Sequence, residues 1–389
     1  MNKRPISFYL TLTILSSVLL VTLTRRTPQT IYGDPAYQLK ALQQYRAGES
    51  SSFNRLTTPD PKNLTKDVTE WFSWWPPGPQ LAVYPFLVTG ISIGAAVRLI
   101  AIGFVFLGCI GWVLWFNCFD LPRGVQLGWA LLVPWMRYAN NGLFAFSGEV
   151  FAFGLAPWIL VGTQNRVQAC QSGRERFGFM VTASALLGLG LGLCYVLKYN
   201  IVFASIAALI YFGSKIASET HEKRRRMAAS FFASLLGFLI PVVALNVLNH
   251  LVNHDMNPVV STAGFNGKLA SVPWIVALPA LALTDAYSML CYVFLHPIRG
   301  LYPHEYLLCL LGLPGGILLL RLLYRQRGGA GSARLAILTL GTSGFAMLLI
   351  WNLTQVGNYD GRYLAIFSLA VLPVAVEEGF VVCAQEPAS

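Results

Sequence analysis

The sequence contains few charged residues. Only 12% of its 389 residues are charged, against roughly 25% in an ordinary soluble domain, while 55% are hydrophobic and the mean hydropathy is +0.56. This composition, with long uncharged runs, excludes a soluble globular chain and indicates that lipid is the main solvent. The net charge of +11 does not indicate nucleic-acid binding, because the bases lie in short clusters between apolar runs, as in HEKRRR.

Paired cysteines are also absent. The seven cysteines lie mostly within or beside apolar runs and form no CxxC motif, so they are interpreted as small buried hydrophobes rather than as a disulfide framework or a zinc site. His250 and His254 are one helical turn apart and could share a metal. No third strong ligand and no HExxH glutamate accompany them, so the sequence predicts no metal site and no certain cofactor.

Apolar runs dominate what is present. A membrane-spanning helix needs about 20 mostly apolar residues. The candidate spans are 6–24, 91–116, 125–143, 144–162, 179–197, 200–214, 229–249, 304–323, 335–354 and 363–382. The run 272–296 is long enough, but prolines and Asp285 interrupt it, so it is treated as a partial or re-entrant element. The predicted fold is an all-α integral membrane protein with about 10 helices in one domain over 1–389.

The distribution of Lys and Arg predicts the orientation. With the N-terminus inside, 15 bases fall in the inner loops, as the positive-inside rule requires. Residues 25–90 then form a first outer loop, in which we expect interfacial helices. Residues 250–303 form a second outer segment, which is partly re-entrant.

The stretch YGDPAYQLKALQQYRAG, residues 32–48, predicts a helix in the first outer loop. Asp34 and Pro35 fit an N-cap and a first helical position, and Gly48 fits a C-terminal stop. The predicted apolar face consists of Tyr37, Ala41, Leu42 and Tyr45. Such a helix lies along the membrane surface. Asp34 either only caps this helix or is a functional acid beside the bilayer.

Four stretches of the sequence carry a resemblance to a known family through their order and spacing. They are GDPAYQLKALQQYRAGE, PPGPQLAVYPFLVTGISIGAAVRLIAIGF, LLGLGLGLCYVLKYNIVFASIAALIYF and GRYLAIFSLAVLPV. In order and approximate spacing they resemble multi-spanning glycosyltransferases of the GT-C class, particularly bacterial protein O-mannosyltransferase and aminoarabinose-transferase-like members. The chain differs from many relatives in carrying Pro35 where they have a second acid.

The resemblance implies transfer of a sugar from a polyprenyl-phosphate donor to a glycan, lipid or protein acceptor on the outer face. Asp34 is then the expected base that deprotonates the acceptor hydroxyl, with inversion at the anomeric carbon. Lys198 and Arg362 are the expected holders of the phosphate. Tyr37 is a further expected substrate-binding residue. A divalent cation could join Asp34 and the phosphate.

Three other charged residues near the outer ends of spans are substrate-binding candidates. A cation within an apolar segment costs about 2.5–3.5 kcal/mol on insertion scales, which makes Arg98 and Arg137 functional candidates; the alternative is that they snorkel to the interface. Glu149 could orient the acceptor or could pair with Arg137.

Two other function classes remain open at this point. The first is a transporter or flippase of lipid-linked sugars, although charges at the outer ends and the absence of a half-repeat are not typical of transporters. The second is a non-catalytic scaffold of the same class, because the second acid is missing. The expected location is a bacterial inner membrane, with the active site facing outward.

Overall fold

The computed structural model describes residues 5–31, 33–60, 62–73, 75–253, 275–277, 279, 303–325, 331–353 and 366–385. The described part is mostly helical. Its helices are α1 (Ile6–Thr24), α2 (Gly33–Arg46), α3 (Gly78–Val88), α4 (Ile93–Phe116), α5 (Arg123–Leu132), α6 (Arg137–Phe144), α7 (Glu149–Ser172), α8 (Phe177–Leu197), α9 (Val202–Ala217), α10 (His221–Asn253), α11 (Pro303–Arg325), α12 (Gly331–Leu353) and α13 (Leu372–Gln385). Its strands are β1 (Thr30–Ile31), β2 (Arg55–Asp60), β3 (Asn63–Trp71) and β4 (Ala145–Phe146).

Six helical segments of the described part are long and apolar enough to cross a membrane. They are Ile6–Thr24, Ile93–Phe116, Phe177–Leu197, Tyr199–Ala217, His221–Asn253 and Gly331–Ile350. They indicate an integral multi-pass membrane protein. The remaining predicted spans are not among these six segments. The predicted span 304–323 falls within the helix α11. Of the predicted span 363–382, residues 363–365 lie outside the described residues, residues 366–368 are helical, and a turn at 369–371 precedes the 14-residue helix α13.

The predicted span 144–162 is shifted toward the C-terminus. Its helix is α7, which begins at Glu149 after the short strand β4 and ends at Ser172, before Gly173, a left-handed residue with φ 68°. Most of α7 is buried, including the polar Thr163 and Gln164. Because neighbouring helices enclose α7, it can carry polar residues that a lipid-facing helix would expose at a high cost.

The predicted span 125–143 is wrong as a continuous helix. Pro134 lies in a 3-10 turn, Val133–Trp135, which separates α5 from α6, and Met136 is extended. Pro134 has no N–H for the carbonyl of Ala130, four residues earlier. The hydroxyl of Thr13 lies 2.9 Å from that oxygen, and the hydroxyl of Ser16 donates to Leu131 O at 2.8 Å. Side chains of α1 therefore satisfy carbonyls that the break exposes.

Replacing Thr13 by valine is expected to lower the free energy of unfolding by about 1 kcal/mol, because Ala130 O then loses a donor inside the bundle. Thr22→Val is the matched control, since the Thr22 hydroxyl is exposed and bonds only within its own helix, to Val18 O at 2.8 Å. Thermal unfolding in mild detergent measures both. Equal shifts for the two variants would contradict this account of the break.

The helices α8 and α10 pack closely because small residues meet between them. Gly188 lies against the backbone of Ser234, and a Cβ built on it would be 2.6 Å from the Ser234 carbonyl carbon. A Cβ on Gly237 would lie 2.8 Å from the Leu189 nitrogen. The Ser234 hydroxyl donates to Ser184 O at 2.9 Å across the same interface. Small residues and interhelical hydrogen bonds are the usual means of helix association in lipid.

Residues 25–90, the predicted first outer loop, contain a β-hairpin that the all-α prediction missed. The antiparallel strands β2 and β3 pair from Arg55 with Trp71 to Asp60 with Asn63. A second, parallel pair joins β1 to β4, with Thr30 opposite Ala145. The hairpin, α2 and α3 cover the end of the bundle where α1 ends and α7 begins, which we term the hairpin end. The opposite end is termed the basic end; it holds the turns between α7 and α8 and between α9 and α10.

Candidate functional site

A small pocket lies at the hairpin end, where four parts of the chain meet. It is lined by Pro35 and Gln38 of α2, Trp75, Pro76 and Pro79 before and within α3, Ser147, Gly148 and Glu149 at the start of α7, and Leu197 and Lys198 at the end of α8. Its free volume of about 20 Å³ has room for about one water molecule.

An ion pair forms one wall of this pocket. Lys198 Nζ lies 3.1 Å from Glu149 Oε1, and the two side chains are only 14% and 15% exposed. Glu149 is in the first turn of α7 and Lys198 follows the last turn of α8, so each charge lies at the helix end whose dipole favours it. A Cβ on Gly148 would lie 2.7 Å from Lys198 Nζ, so a larger residue there would displace the lysine side chain from this position.

Residues 71–73 and 75–80, which we term the roof of the pocket, are held from several sides. Gln38 Nε2 donates to Pro76 O at 2.7 Å, and the Tyr199 hydroxyl donates to Ser73 O at 3.1 Å. Trp71 Nε1 donates to Asn249 Oδ1 at 3.1 Å, which ties the hairpin to α10. These bonds connect α2, the turn after α8, α10 and the hairpin around the ion pair, so the described part of the roof has a defined position.

Glycine also brings the roof close to α8. A Cβ on Gly78 would lie 2.6 Å from the Leu197 Cα. The first turn of α3 therefore rests on the backbone beside Lys198. Only a residue without a side chain permits this approach.

Two aromatic rings lie beside the pocket. Tyr37 and Trp75 are parallel, with an interplanar angle of 1° and ring centroids 6.3 Å apart. Tyr37 is 53% exposed. The predicted apolar face of α2 needs correction here, because Tyr37 and Tyr45 are exposed whereas Gln38 and Leu39 are buried with Ala41 and Leu42. The buried face rests on the roof and the hairpin, and the tyrosines point past its edge.

The boundaries of α2 agree with the prediction at one end. The helix begins at Gly33, so Asp34 lies in its first turn and is not the N-cap. At the other end Gly48 has φ 76°, its N–H donates to Tyr45 O, and the Glu49 N–H donates to Gln44 O. These bonds form a Schellman motif and confirm the predicted stop.

The structure brings several of the predicted site residues together. Glu149 and Lys198 share the pocket, and Glu149 pairs with Lys198, a partner that the sequence did not suggest. Tyr37 stacks beside the pocket on Trp75. Asp34 directly precedes Pro35, which lines the pocket, but its side chain lies outside what the structure describes.

The other predicted site residues lie elsewhere or outside the described part. Arg98 donates to Thr24 O at 3.2 Å and to Arg25 O at 2.7 Å, so it caps the C-terminal end of α1. Arg137 opens α6, and its side chain is not among those described. Arg362 lies outside the described residues. The roles of these three arginines in substrate binding stay predictions.

The sequence analysis missed the polar residues of α10 that hold the roof. Asn246, Asn249 and Asn253 recur at helical spacing in the mostly apolar C-terminal half of α10, which was a visible signal. Asn246 Nδ2 donates to the Tyr195 hydroxyl at 3.2 Å, and Asn253 Nδ2 lies 3.4 Å from the Ser73 hydroxyl. The stripe therefore faces α8 and the roof.

Metal ligands do not gather at the site in the described part of the chain. Among those residues no group of three His, Cys, Asp or Glu side chains could hold a metal ion. His254, the second member of the predicted pair, lies outside them. No family model, curated protein or solved structure matches the chain.

Proposed function

We propose that the protein is a membrane glycosyltransferase that moves a sugar from a polyprenyl-phosphate donor to an acceptor at the outer membrane surface. One observation carries the proposal: the Glu149–Lys198 pair, the aromatic Trp75 and the residue that follows Asp34 line one pocket at the end of a helix bundle. An acid, a cation and aromatic rings at the edge of lipid suit a donor whose tail stays in the membrane while its phosphate reaches water.

In this proposal each group has one task. The Asp34 carboxylate takes the proton of the acceptor hydroxyl, whose oxygen attacks the anomeric carbon as the bond to the phosphate oxygen breaks. Lys198 compensates the charge that develops on the leaving polyprenyl phosphate. Glu149 holds the Lys198 ammonium in place through their ion pair. Since the pocket holds only about one water molecule, donor binding requires the roof to move.

The proposal includes a location. The hairpin end faces away from the cytoplasm, and the basic end faces the cytoplasm, in agreement with the positive-inside rule. The membrane is proposed to be a bacterial inner membrane. The acceptor is a glycan, lipid or protein on the far side.

The test uses the full chain in liposomes with a radiolabelled polyprenyl-phosphate sugar and a panel of acceptors. Asp34→Asn is expected to lower the transfer rate by about 100-fold or more, because the base is lost while the shape is kept. Asp67→Asn is the matched control: Asp67 is exposed on β3, and its replacement should leave the rate unchanged. Transfer by the wild type that is insensitive to Asp34→Asn would contradict the assigned base.

A transporter of lipid-linked sugars is the second candidate, and the break between α5 and α6 favours it, since interrupted helices are typical of transporters. The same liposomes separate the two functions. Movement of the labelled lipid across the bilayer without sugar transfer would support transport. Neither movement nor transfer would support a non-catalytic scaffold.

A further inference from the structure

The basic end carries a dense group of exposed bases. The basic collar consists of Arg174, Arg176, Lys223, Arg224 and Arg225, all of which are exposed. The first two lie in the turn between α7 and α8, and the others lie in the first turns of α10. The Arg226 side chain donates to Glu175 O, which joins the two parts of the collar. Five positive charges therefore meet on one surface.

Acids near the collar do not neutralise it. The Glu175 carboxylate forms an ion pair with the buried Arg166 and is therefore engaged inside the bundle. Glu219 accepts a hydrogen bond from Gln171 Nε2 at 2.6 Å. Glu222 is the exposed acid beside Lys223, so the collar keeps a clear excess of positive charge. A surface of this kind attracts anions.

The length of α10 places the collar at the depth of lipid headgroups. The helix has 33 residues and is about 50 Å long, whereas the hydrocarbon core is about 30 Å thick. Its polar start, residues 221–226, therefore extends beyond the hydrocarbon. Exposed aromatic side chains follow directly, with Phe177 and Phe179 on α8 and Phe232 on α10. The surface thus changes from charged to lipid-facing within about two helical turns.

We infer that the basic collar binds anionic phospholipid headgroups of the leaflet at the basic end. Guanidinium groups bind phosphate oxygens in a bidentate manner, and juxtamembrane Lys and Arg clusters are attracted to anionic leaflets. The exposed phenylalanines beside the collar contact acyl chains. A soluble protein partner that bound the collar would leave these phenylalanines uncovered. Lipid is therefore the partner that matches both the charge and the neighbouring apolar surface.

The test measures the binding of phosphatidylglycerol and phosphatidylcholine to the purified full chain by native mass spectrometry, at low and high salt. The wild type is expected to bind phosphatidylglycerol more tightly. The variant Lys223→Gln/Arg224→Gln/Arg225→Gln should bind phosphatidylglycerol at least about tenfold more weakly than the wild type, because three of the five charges are lost. High salt should remove most of the difference.

A matched control carries the same charge change at the hairpin end. The variant Arg25→Gln/Arg26→Gln/Arg46→Gln removes three exposed bases there and should keep the preference for phosphatidylglycerol. The conservative variant Arg224→Lys/Arg225→Lys keeps the charge and should also keep the preference. Equal losses in both triple variants, equal binding of the two lipids by the wild type, or displacement by an equal concentration of inorganic phosphate would overturn the inference.

Discussion

Replacing Gly188 by valine is expected to lower the free energy of unfolding by about 3 kcal/mol. Most of the purified variant should then be missing from the peak of folded protein in gel filtration. A Cβ at this position would lie 2.6 Å from the carbonyl carbon of Ser234, which is backbone and cannot turn aside as a side chain can. The helices α8 and α10 must separate to admit it. Their separation also stretches the Ser234–Ser184 hydrogen bond. Gel filtration in mild detergent and thermal unfolding measure the loss.

Gly190 is the control for this substitution. It lies two residues away on the same helix, is exposed, and a Cβ on it would meet nothing within 4 Å. Gly190→Val changes helix propensity and apolar area in the same way as Gly188→Val. It should therefore leave the unfolding midpoint near that of the wild type. If both valine variants unfold alike, propensity and not packing would be the cause.

The sequence predicts those parts of the fold that the bilayer itself dictates. A lipid-facing helix must be uniformly apolar, so runs such as 6–24 and 179–197 match α1 and α8 almost residue for residue. An enclosed helix escapes this requirement. The buried Gln164 and Arg166 of α7 reduce its mean hydropathy, and the predicted span stopped before them. Enclosure depends on the helices that pack around α7, and a hydropathy average along the sequence contains no information about them.

The two other misses have different causes. Pro134 is visible in the sequence, but an average over about 20 residues conceals one missing donor, so 125–143 was predicted as continuous. Whether a proline breaks or only bends a helix depends on partners such as Thr13 on α1. The hairpin was within reach of prediction, since Thr57, Val68 and Thr69 are β-formers beside a proline-rich turn.

The site shows the same division. Lys198 and Glu149 were selected from the sequence as charged residues at the ends of apolar runs, and this signal is local. Their pairing was not predicted, because it depends on how closely the ends of α7 and α8 approach. At that approach the lysine side chain lies over Gly148, and Gly78 of α3 packs against the backbone of Leu197. The sequence around a glycine does not show which residue packs against it.

A double-mutant cycle on Glu149 and Lys198 separates structural pairing from a role in the reaction. Lys198→Met keeps the side-chain length and removes the charge, and it leaves the Glu149 carboxylate in a pocket where it is only 15% exposed. Removing one partner of a buried pair costs about 3 kcal/mol, so this variant should be clearly less stable. Its transfer rate should fall by about 100-fold or more, if Lys198 holds the leaving phosphate.

The double variant Lys198→Met/Glu149→Gln decides between the two roles. Glutamine has the shape of glutamate without its charge, so stability should return to within about 1 kcal/mol of the wild type. Transfer should not return, because the lysine assigned to the leaving phosphate is still absent. A lysine that serves only to neutralise Glu149 predicts the opposite: stability and transfer would recover together. Stability and transfer rate, measured on the wild type, the two single variants and the double variant, therefore decide the role of Lys198. Stability depends on the summed charge of the pair, whereas stabilisation of the leaving phosphate depends on the lysine alone.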